Sequence, residues 1–389
     1  MASAHFPLFE GGPFFKLQTA LHLAGTERRH LWRKVIVAVS LTWVPLVVLA
    51  AIQGQAIGPN WRGSMLLDPG MHARFLVALP LFHLATPGFR RGFQTVVHHF
   101  LDAELVKPAE RESFLANITS ILRWRDSWLA AVVLVALAFA GALPFGTSAM
   151  ADMPISWRVA GPVGHHSLSL AGWWLVAVSE PLYDLTMLQF FYRLALWWRF
   201  LWRTSRLDLC LNAAHPDGAG GLAFLSMTLP LFRLPLFAIA ASAAGALANL
   251  MLWTGASFAS FRYSIAAVTA VLLALMVGPL VFFKPQLGKA KQRAVLGCGN
   301  LAGRQLRAFE EKWLGANAPA PEEMLHAPDF SAVGDFNPTV TAMQKMNTLP
   351  FWPKQLVPLV VAALLPFLPV AAMEIPLAEI LAKVWKLVK

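Results

Sequence analysis

Charged residues are scarce in this chain of 389 residues. They make up 14% of the sequence, whereas 57% of the residues are apolar and the mean hydropathy is +0.55. Soluble domains carry roughly 25% charged residues, so the composition excludes an ordinary soluble protein. The high apolar content also excludes a disordered chain. Tyrosine is rare too, with three Tyr beside 15 Trp and 27 Phe, and bulky apolar rings of this kind suit a bilayer.

Cysteine is rare in the sequence, and the common enzyme motifs are absent. The two cysteines, Cys210 and Cys298, form no C-x-x-C pair, which excludes a disulfide framework and a thiolate metal site. The sequence has no G-x-S-x-G, H-E-x-x-H or kinase motif set, no P-loop lysine and no dinucleotide fingerprint. We therefore predict no catalytic residue, no metal site and no cofactor.

Long apolar runs are present instead, and they predict an all-α, polytopic membrane protein with six or seven transmembrane helices. A helix needs roughly 20 residues to cross about 30 Å of hydrocarbon. The second run is short and contains prolines, so it is a tilted or kinked span or a re-entrant segment. We find no internal repeat. The candidate spans are approximately Val35–Ile52, Met71–Gly88, Ser127–Thr147, Ala171–Leu196, Leu234–Trp253, Ser264–Phe283 and Gln355–Met373.

Lysine and arginine residues are concentrated in alternate connections between these runs. The N-terminal segment and the connections after the second, fourth and sixth runs carry 24 of them, against three in the opposite connections. The positive-inside rule therefore predicts a cytoplasmic N-terminus in a bacterial inner membrane. The net charge of +11 is explained by this topology, and we expect no nucleic-acid partner. Because the first 34 residues are mixed and polar, we expect no cleavable signal peptide.

Four regions follow from these patterns. They are a cytoplasmic N-terminal segment over 1–34, a transmembrane bundle over 35–283 with a helical cytoplasmic insert at about 97–124, a cytoplasmic helical segment and loop over 284–354, and a last span with an amphipathic C-terminal helix over 355–389. That final helix either lies in the outer interface or turns back to the cytoplasm.

Two acidic residues in the fourth run are the first candidates for a functional site. Glu180 and Asp184 are four positions apart, so they share one face of a helix. Ionisable groups inside a span are costly and suggest an ion or proton path. The alternative is that both lie near the outer interface, where a solvated acid costs little.

The basic end of the same predicted helix and the loop after it hold the other candidates. Arg199, Arg203 and Arg206 form one stripe, which suits lipid phosphates or an anion, and Asp208 is placed to pair with one of them. In the loop "HPDGAGG", exposed backbone N–H groups would suit an anion, and His215 and Asp217 a metal or proton. The same residues are typical of a turn. The glycines of interest are Gly220 and Gly221.

Five further polar residues are interpreted as structural rather than functional. His98, His99 and Asp102 form an H-H-x-x-D cluster with no matching ligand elsewhere, so a surface helix is the better interpretation. His83 and Asn249 lie within apolar runs and are expected to form hydrogen bonds between helices.

Several stretches share features with a known group of proteins. They are "HHFLDAELVKPAER", "RWRDSWL", "YRLALWWRFLWRTSRLDL" running into "HPDGAGGLAFL", "FKPQLGKAKQRA", "FEEKWL" and "TLPFWPKQLVPLVVAALLPFLPV". Together they resemble a widespread family of bacterial multi-pass inner-membrane proteins, over about three-quarters of the chain. The most specific part is the His-Pro-Asp-x-x-Gly-Gly run. The resemblance implies an architecture and no reaction, and it moves the emphasis from Glu180 and Asp184 to the residues from Arg199 to Gly221.

These observations favour a channel- or transporter-like protein. We expect it to move an ion or small solute, to have a basic cytoplasmic vestibule that can attract a small anionic ligand, to contact membrane lipids and to form a homo-oligomer. Two alternatives stay open, a membrane enzyme acting on a lipid or nucleotide through His215 and Asp217, and a scaffold without catalysis.

Overall fold

The chain is mostly helical in a computed structural model that describes residues 6–23, 25, 28–58, 63–151, 156–160, 167–314 and 338–374. The predicted C-terminal amphipathic helix lies outside the described residues. The helices are α1 Pro13–Ala20, α2 Arg28–Thr42, α3 Val44–Ile52, α4 Pro69–His72, α5 Leu79–Asp102, α6 Arg111–Arg125, α7 Trp128–Ala151, α8 Leu170–Trp174, α9 Glu180–Thr204, α10 Arg233–Thr254, α11 Arg262–Val277, α12 Lys284–Trp313, α13 Val357–Leu364 and α14 Leu368–Ala371. Strands β1 Val159–Ala160 and β2 Ser167–Leu168 pair antiparallel, with Val159 opposite Leu168.

Four helical stretches among the described residues are long and apolar enough to cross a membrane. A fifth is added if the bent pair Pro108–Arg125 and Trp128–Leu143, which meet at 47°, counts as one span. The mostly helical fold is therefore confirmed, with four or five helices that could cross a membrane, whereas six or seven spans are not confirmed. The second and fourth predicted spans are missing from the set, and each lies in a helix that carries charged residues. The four stretches are Arg28–Ile52, Ala223–Thr254, Phe258–Trp313 and Pro353–Ala371.

The second predicted span lies in an irregular helix over residues 69–102. Asp68 caps it by accepting a hydrogen bond from the Met71 N–H (3.1 Å). After α4 the helix widens into a π-helical segment, Ala73–Ala78, and then continues as α5 with Pro80 at its second position. Proline has no N–H to donate, so a widened turn just before it costs few hydrogen bonds.

The fourth predicted span lies in a second irregular helix, over residues 170–204, with the same succession of features. Ser169 caps it by accepting a hydrogen bond from the Gly172 N–H (2.9 Å). The short α8 is followed by a π-helical segment, Leu175–Ser179, and then by α9, again with a proline, Pro181, at its second position.

The two irregular helices share a local pattern. "LPLFHL" starts α5 and "EPLYDL" starts α9, so a proline is the second residue of each helix, directly after a π segment. Three of the six motif positions are identical. The first irregular helix packs against α2 and the second against α7.

The connections between helices gather at two ends of the bundle. At one end the Cys210 N–H donates to the Leu105 carbonyl oxygen (2.8 Å). At the other, Asn249 Nδ2 donates to Asp68 Oδ1 (2.7 Å). Alternate connections share an end, as the predicted alternation of basic connections requires. We call the first the basic end, and it contains residues 6–23, 103–126, 205–222 and 346–356.

Asp68 joins three parts of the chain at the opposite end. Besides Met71 and Asn249, its carboxylate accepts hydrogen bonds from Trp157 Nε1 (3.1 Å) and Arg158 Nη2 (2.8 Å). Burial alone would raise the pKa of Asp68, but the Arg158 guanidinium and the hydrogen bonds outweigh it and lower that pKa. The start of the first irregular helix, the β1 connection and α10 are thus tied to one carboxylate.

Replacing Asp68 by Ala should destabilise the folded protein by about 3–5 kcal/mol, because Arg158 is left buried without its partner. Denaturant titration in detergent would measure this, with D102N as the control, since Asp102 is exposed. The contribution of Asp68 should be complete above the pKa of an unfolded aspartate, about 3.9. It should vanish as the pH falls through the lower folded pKa. Equal stability of D68A and D102N would contradict this role.

Candidate functional site

A buried ion pair joins the two irregular helices. Arg74, in the first π segment, donates through Nη1 to Glu180 Oε1, at the start of α9. The side chains are 14% and 1% exposed. The other carboxylate oxygen, Glu180 Oε2, is buried and accepts no hydrogen bond within the described part of the chain. Glu180 is therefore not a solvated acid at an interface, and it keeps one acceptor position open.

Side chains of α9 itself and of two neighbouring helices, α2 and α10, surround the pair and its ends. The Arg74 guanidinium lies over the Tyr183 ring, 5.4 Å from its centroid. The Tyr183 hydroxyl donates to Ser242 Oγ of α10 (2.8 Å). Ser179 Oγ donates to the Thr42 carbonyl oxygen at the end of α2 (2.8 Å). The pair is thus held from both sides rather than left at the edge of the bundle.

Asp184, one helical turn after Glu180, faces α7. A Cβ atom built at Gly141 would lie 2.9 Å from Asp184 Oδ2, so a side chain at this position would press on the carboxylate. Asp184 is only partly buried. The predicted pair of acids on one helix face is present, and the sequence reading missed Arg74 as the cation that accompanies it.

The predicted arginine stripe has local partners at the basic end. Arg199 lies over the Trp124 ring, 5.4 Å from its centroid, and Arg203 Nη1 donates to Ser120 Oγ (3.3 Å). Asp208 pairs with Lys107 and not with an arginine of the stripe, which corrects our expectation. These contacts attach α9 to α6 and to the connection before it, and they indicate a structural role.

The His-Pro-Asp-x-x-Gly-Gly loop is organised around the carboxylate of Asp217. Oδ1 accepts hydrogen bonds from the N–H groups of Ala219 (2.9 Å) and Gly221 (3.1 Å), and Oδ2 from that of Ala223 (3.0 Å). Burial opposes ionisation here, but the three N–H groups outweigh it and lower the pKa of Asp217. His215 Nδ1 lies 2.9 Å from the same carboxylate, and its side chain is 45% exposed.

The loop also docks against a distant segment. Its Gly218 carbonyl oxygen accepts a hydrogen bond from the Asn347 N–H (2.8 Å). Gly220 packs against Met346 and has a φ of +66°, a backbone conformation that favours glycine. Gly221, at φ +95°, has the same backbone requirement. The N–H groups that could cradle an anion are already used by Asp217, which favours the turn interpretation.

The candidate residues do not form a single site. Glu180 lies at the start of α9 and Arg203 near its end, and 23 residues of α-helix span roughly 35 Å. Glu180 belongs to the ion pair inside the bundle, and Asp184 lies one helical turn further along α9. The remaining candidates, from Arg199 to Gly221, belong to the basic end.

The structure has a cavity at the basic end that the sequence analysis did not predict. It has a volume of about 280 Å³ and lies between the N-terminal segment, α2, α5 and α9. We call it the basic cavity, because its wall contains Arg28, Lys34, Arg90, Arg91 and Arg193. The sequence signal that could have indicated it was Arg193, a cation within the fourth predicted span, three residues before its end.

Among the described residues, no group of three or more His, Cys, Asp or Glu side chains is placed to hold a metal ion. His98 instead contacts Gln94, and the His99 ring lies 4.3 Å from that of Phe224.

Comparison of the chain with family models, curated proteins and solved structures finds no match. The resemblance to a bacterial multi-pass family stays a prediction.

The loop geometry predicts different effects for its two polar residues. Replacing Asp217 by Ala strands three N–H groups and should cost about 3 kcal/mol of stability. Replacing the exposed His215 by Ala should cost less than about 1 kcal/mol. Thermal and denaturant unfolding of both variants in detergent would measure this. A larger loss for H215A than for D217A would contradict the turn interpretation.

Proposed function

We propose that this protein is a channel- or transporter-like protein of the bacterial inner membrane, with six or seven spans and a cytoplasmic N-terminus, that moves an ion or small solute. In this proposal both irregular helices cross the membrane although they carry charges. Arg74 of the first and Glu180 of the second are paired inside the bundle, which is how ionisable residues are tolerated in a span.

The observation that carries the proposal is the buried Arg74–Glu180 pair between two irregular helices. In many transporters, binding sites lie where helices are discontinuous. Helix irregularities of the π type are also frequent at functional sites. The buried, unpartnered Glu180 Oε2 offers a position where a proton or cation can bind.

Polar surface extends from the basic end towards this pair. A second cavity, of about 50 Å³, shares Lys34 and His83 with the basic cavity and reaches Thr186 and Gln189 of α9. Thr186 follows Glu180 on the same helix by six residues, although it is not on the same face as Asp184. In this proposal the solute path begins among these polar side chains at the basic end.

Purified protein in liposomes should carry K⁺, Cl⁻ or H⁺ across the membrane above the level of empty vesicles, each tested in its own gradient. Replacing Glu180 by Gln removes the charge that holds Arg74, so the flux should fall about tenfold or more, which corresponds to ~1.4 kcal/mol of barrier.

The matched control is E112Q, because Glu112 is exposed on α6. It should keep the wild-type flux. Folded and inserted wild-type protein without flux of any tested ion, or equal flux in E180Q and E112Q, would contradict the proposal.

A further inference from the structure

The basic cavity has an excess of positive charge that the described protein does not neutralise. Five cationic side chains line it, together with His83, and Glu10 is the one carboxylate among the lining residues. Glu10 already pairs with Arg90. Four cations are left without an acidic partner in the lining.

Two of these cations lie at the inner part of the cavity. Lys34 Nζ donates to Gln18 Oε1 (2.8 Å), a neutral acceptor. The Arg193 guanidinium lies over the Phe9 ring, 5.1 Å from its centroid, and donates no hydrogen bond to any residue that the structure describes. Removing cations from water without an anion is costly. An arrangement of this kind is stabilised when an anion enters.

The walls of the cavity are held in place by contacts that do not use these cations. Arg125 Nη1 donates to the carbonyl oxygens of Pro7 and Glu10 (both 2.6 Å). Phe6 N–H donates to Gln94 Oε1 of α5 (2.8 Å). The N-terminal segment is thereby fixed across the bundle, and the cations from α2, α5 and α9 line a preformed, partly open cavity.

We propose that the basic cavity binds a phosphate group. A phosphate carries several acceptor oxygens and up to two negative charges, which suits a convergent set of arginine and lysine donors. A halide would leave most of these donors without a partner. The volume of about 280 Å³ is close to the lower end of the roughly 300–1,000 Å³ of small-molecule pockets, so it has room for a small phosphorylated molecule.

The same chemistry can come from two sources, a soluble phosphate or the headgroup of an anionic lipid. The cations of the cavity are different residues from the Arg74–Glu180 pair, so the inference does not depend on transport. A binding measurement tests it whether or not ion flux is observed.

The test is isothermal titration of the detergent-purified full chain with inorganic phosphate, at an ionic strength matched with chloride. A second arm uses phosphatidylglycerol in mixed micelles. The variants are R193Q and K34Q, with R199Q as the matched control, because Arg199 is on the same helix and also lies over an aromatic ring but outside the cavity. R193K, which keeps the charge, should bind at an intermediate level.

Wild-type protein and R199Q should bind at least one of the two probes. In R193Q and K34Q the affinity should fall about tenfold or more, the effect of losing one charged hydrogen-bond donor. Binding of inorganic phosphate would identify a soluble ligand, and binding of phosphatidylglycerol alone would identify a lipid headgroup. If wild-type protein binds neither probe, or if a folded R193Q or K34Q binds as tightly as R199Q, the proposal is wrong.

Discussion

A guanidinium and a carboxylate that are shut away from water have to stay in contact. Separating Arg74 from Glu180 would leave two buried charges, each with a desolvation penalty of several kcal/mol. The pair therefore fixes how the two irregular helices lie against each other. Each π segment inserts about one extra residue, which turns the preceding residues by roughly 100° relative to the helix that follows. The irregular turns and the ion pair belong to one arrangement.

The rest of the bundle accommodates this arrangement by close packing. A Cβ atom at Gly245 of α10 would lie 2.9 Å from the Pro69 carbonyl oxygen, so α10 can approach the first irregular helix only because the residue is small. Gly141 allows α7 to pass Asp184 in the same way. The two irregular helices differ in charge, however, because Leu79 begins α5 whereas Glu180 begins α9.

Composition and apolar runs were enough to predict a mostly helical chain with several helices long and apolar enough to cross a membrane. The helix after the sixth run was also expected, and α12 extends over Lys284–Trp313. The apolar runs and helical patterns behind these predictions extend over many consecutive residues, so the sequence shows them directly. The partner of Glu180 could not be predicted, because Arg74 is 106 positions away and pairing depends on the tertiary arrangement. The basic cavity was missed for the same reason, since its cations come from three separate helices.

The loop around Asp217 shows that even a local motif can be ambiguous in the sequence. Its residue types are compatible with a ligand site and with a turn, and the sequence offers both readings. What decides between them is the use of the N–H groups, which Asp217 takes up within the loop. Only coordinates can supply this information.

The most direct test of the account is a double-mutant cycle on Arg74 and Glu180. Unfolding free energies would be measured in detergent for R74M, E180Q and the double variant. Each single change should cost about 3–5 kcal/mol because it leaves a buried charge alone, and the double variant should cost much less than their sum. Additive effects would show that the two side chains do not interact, and the proposed joint between the irregular helices would be wrong.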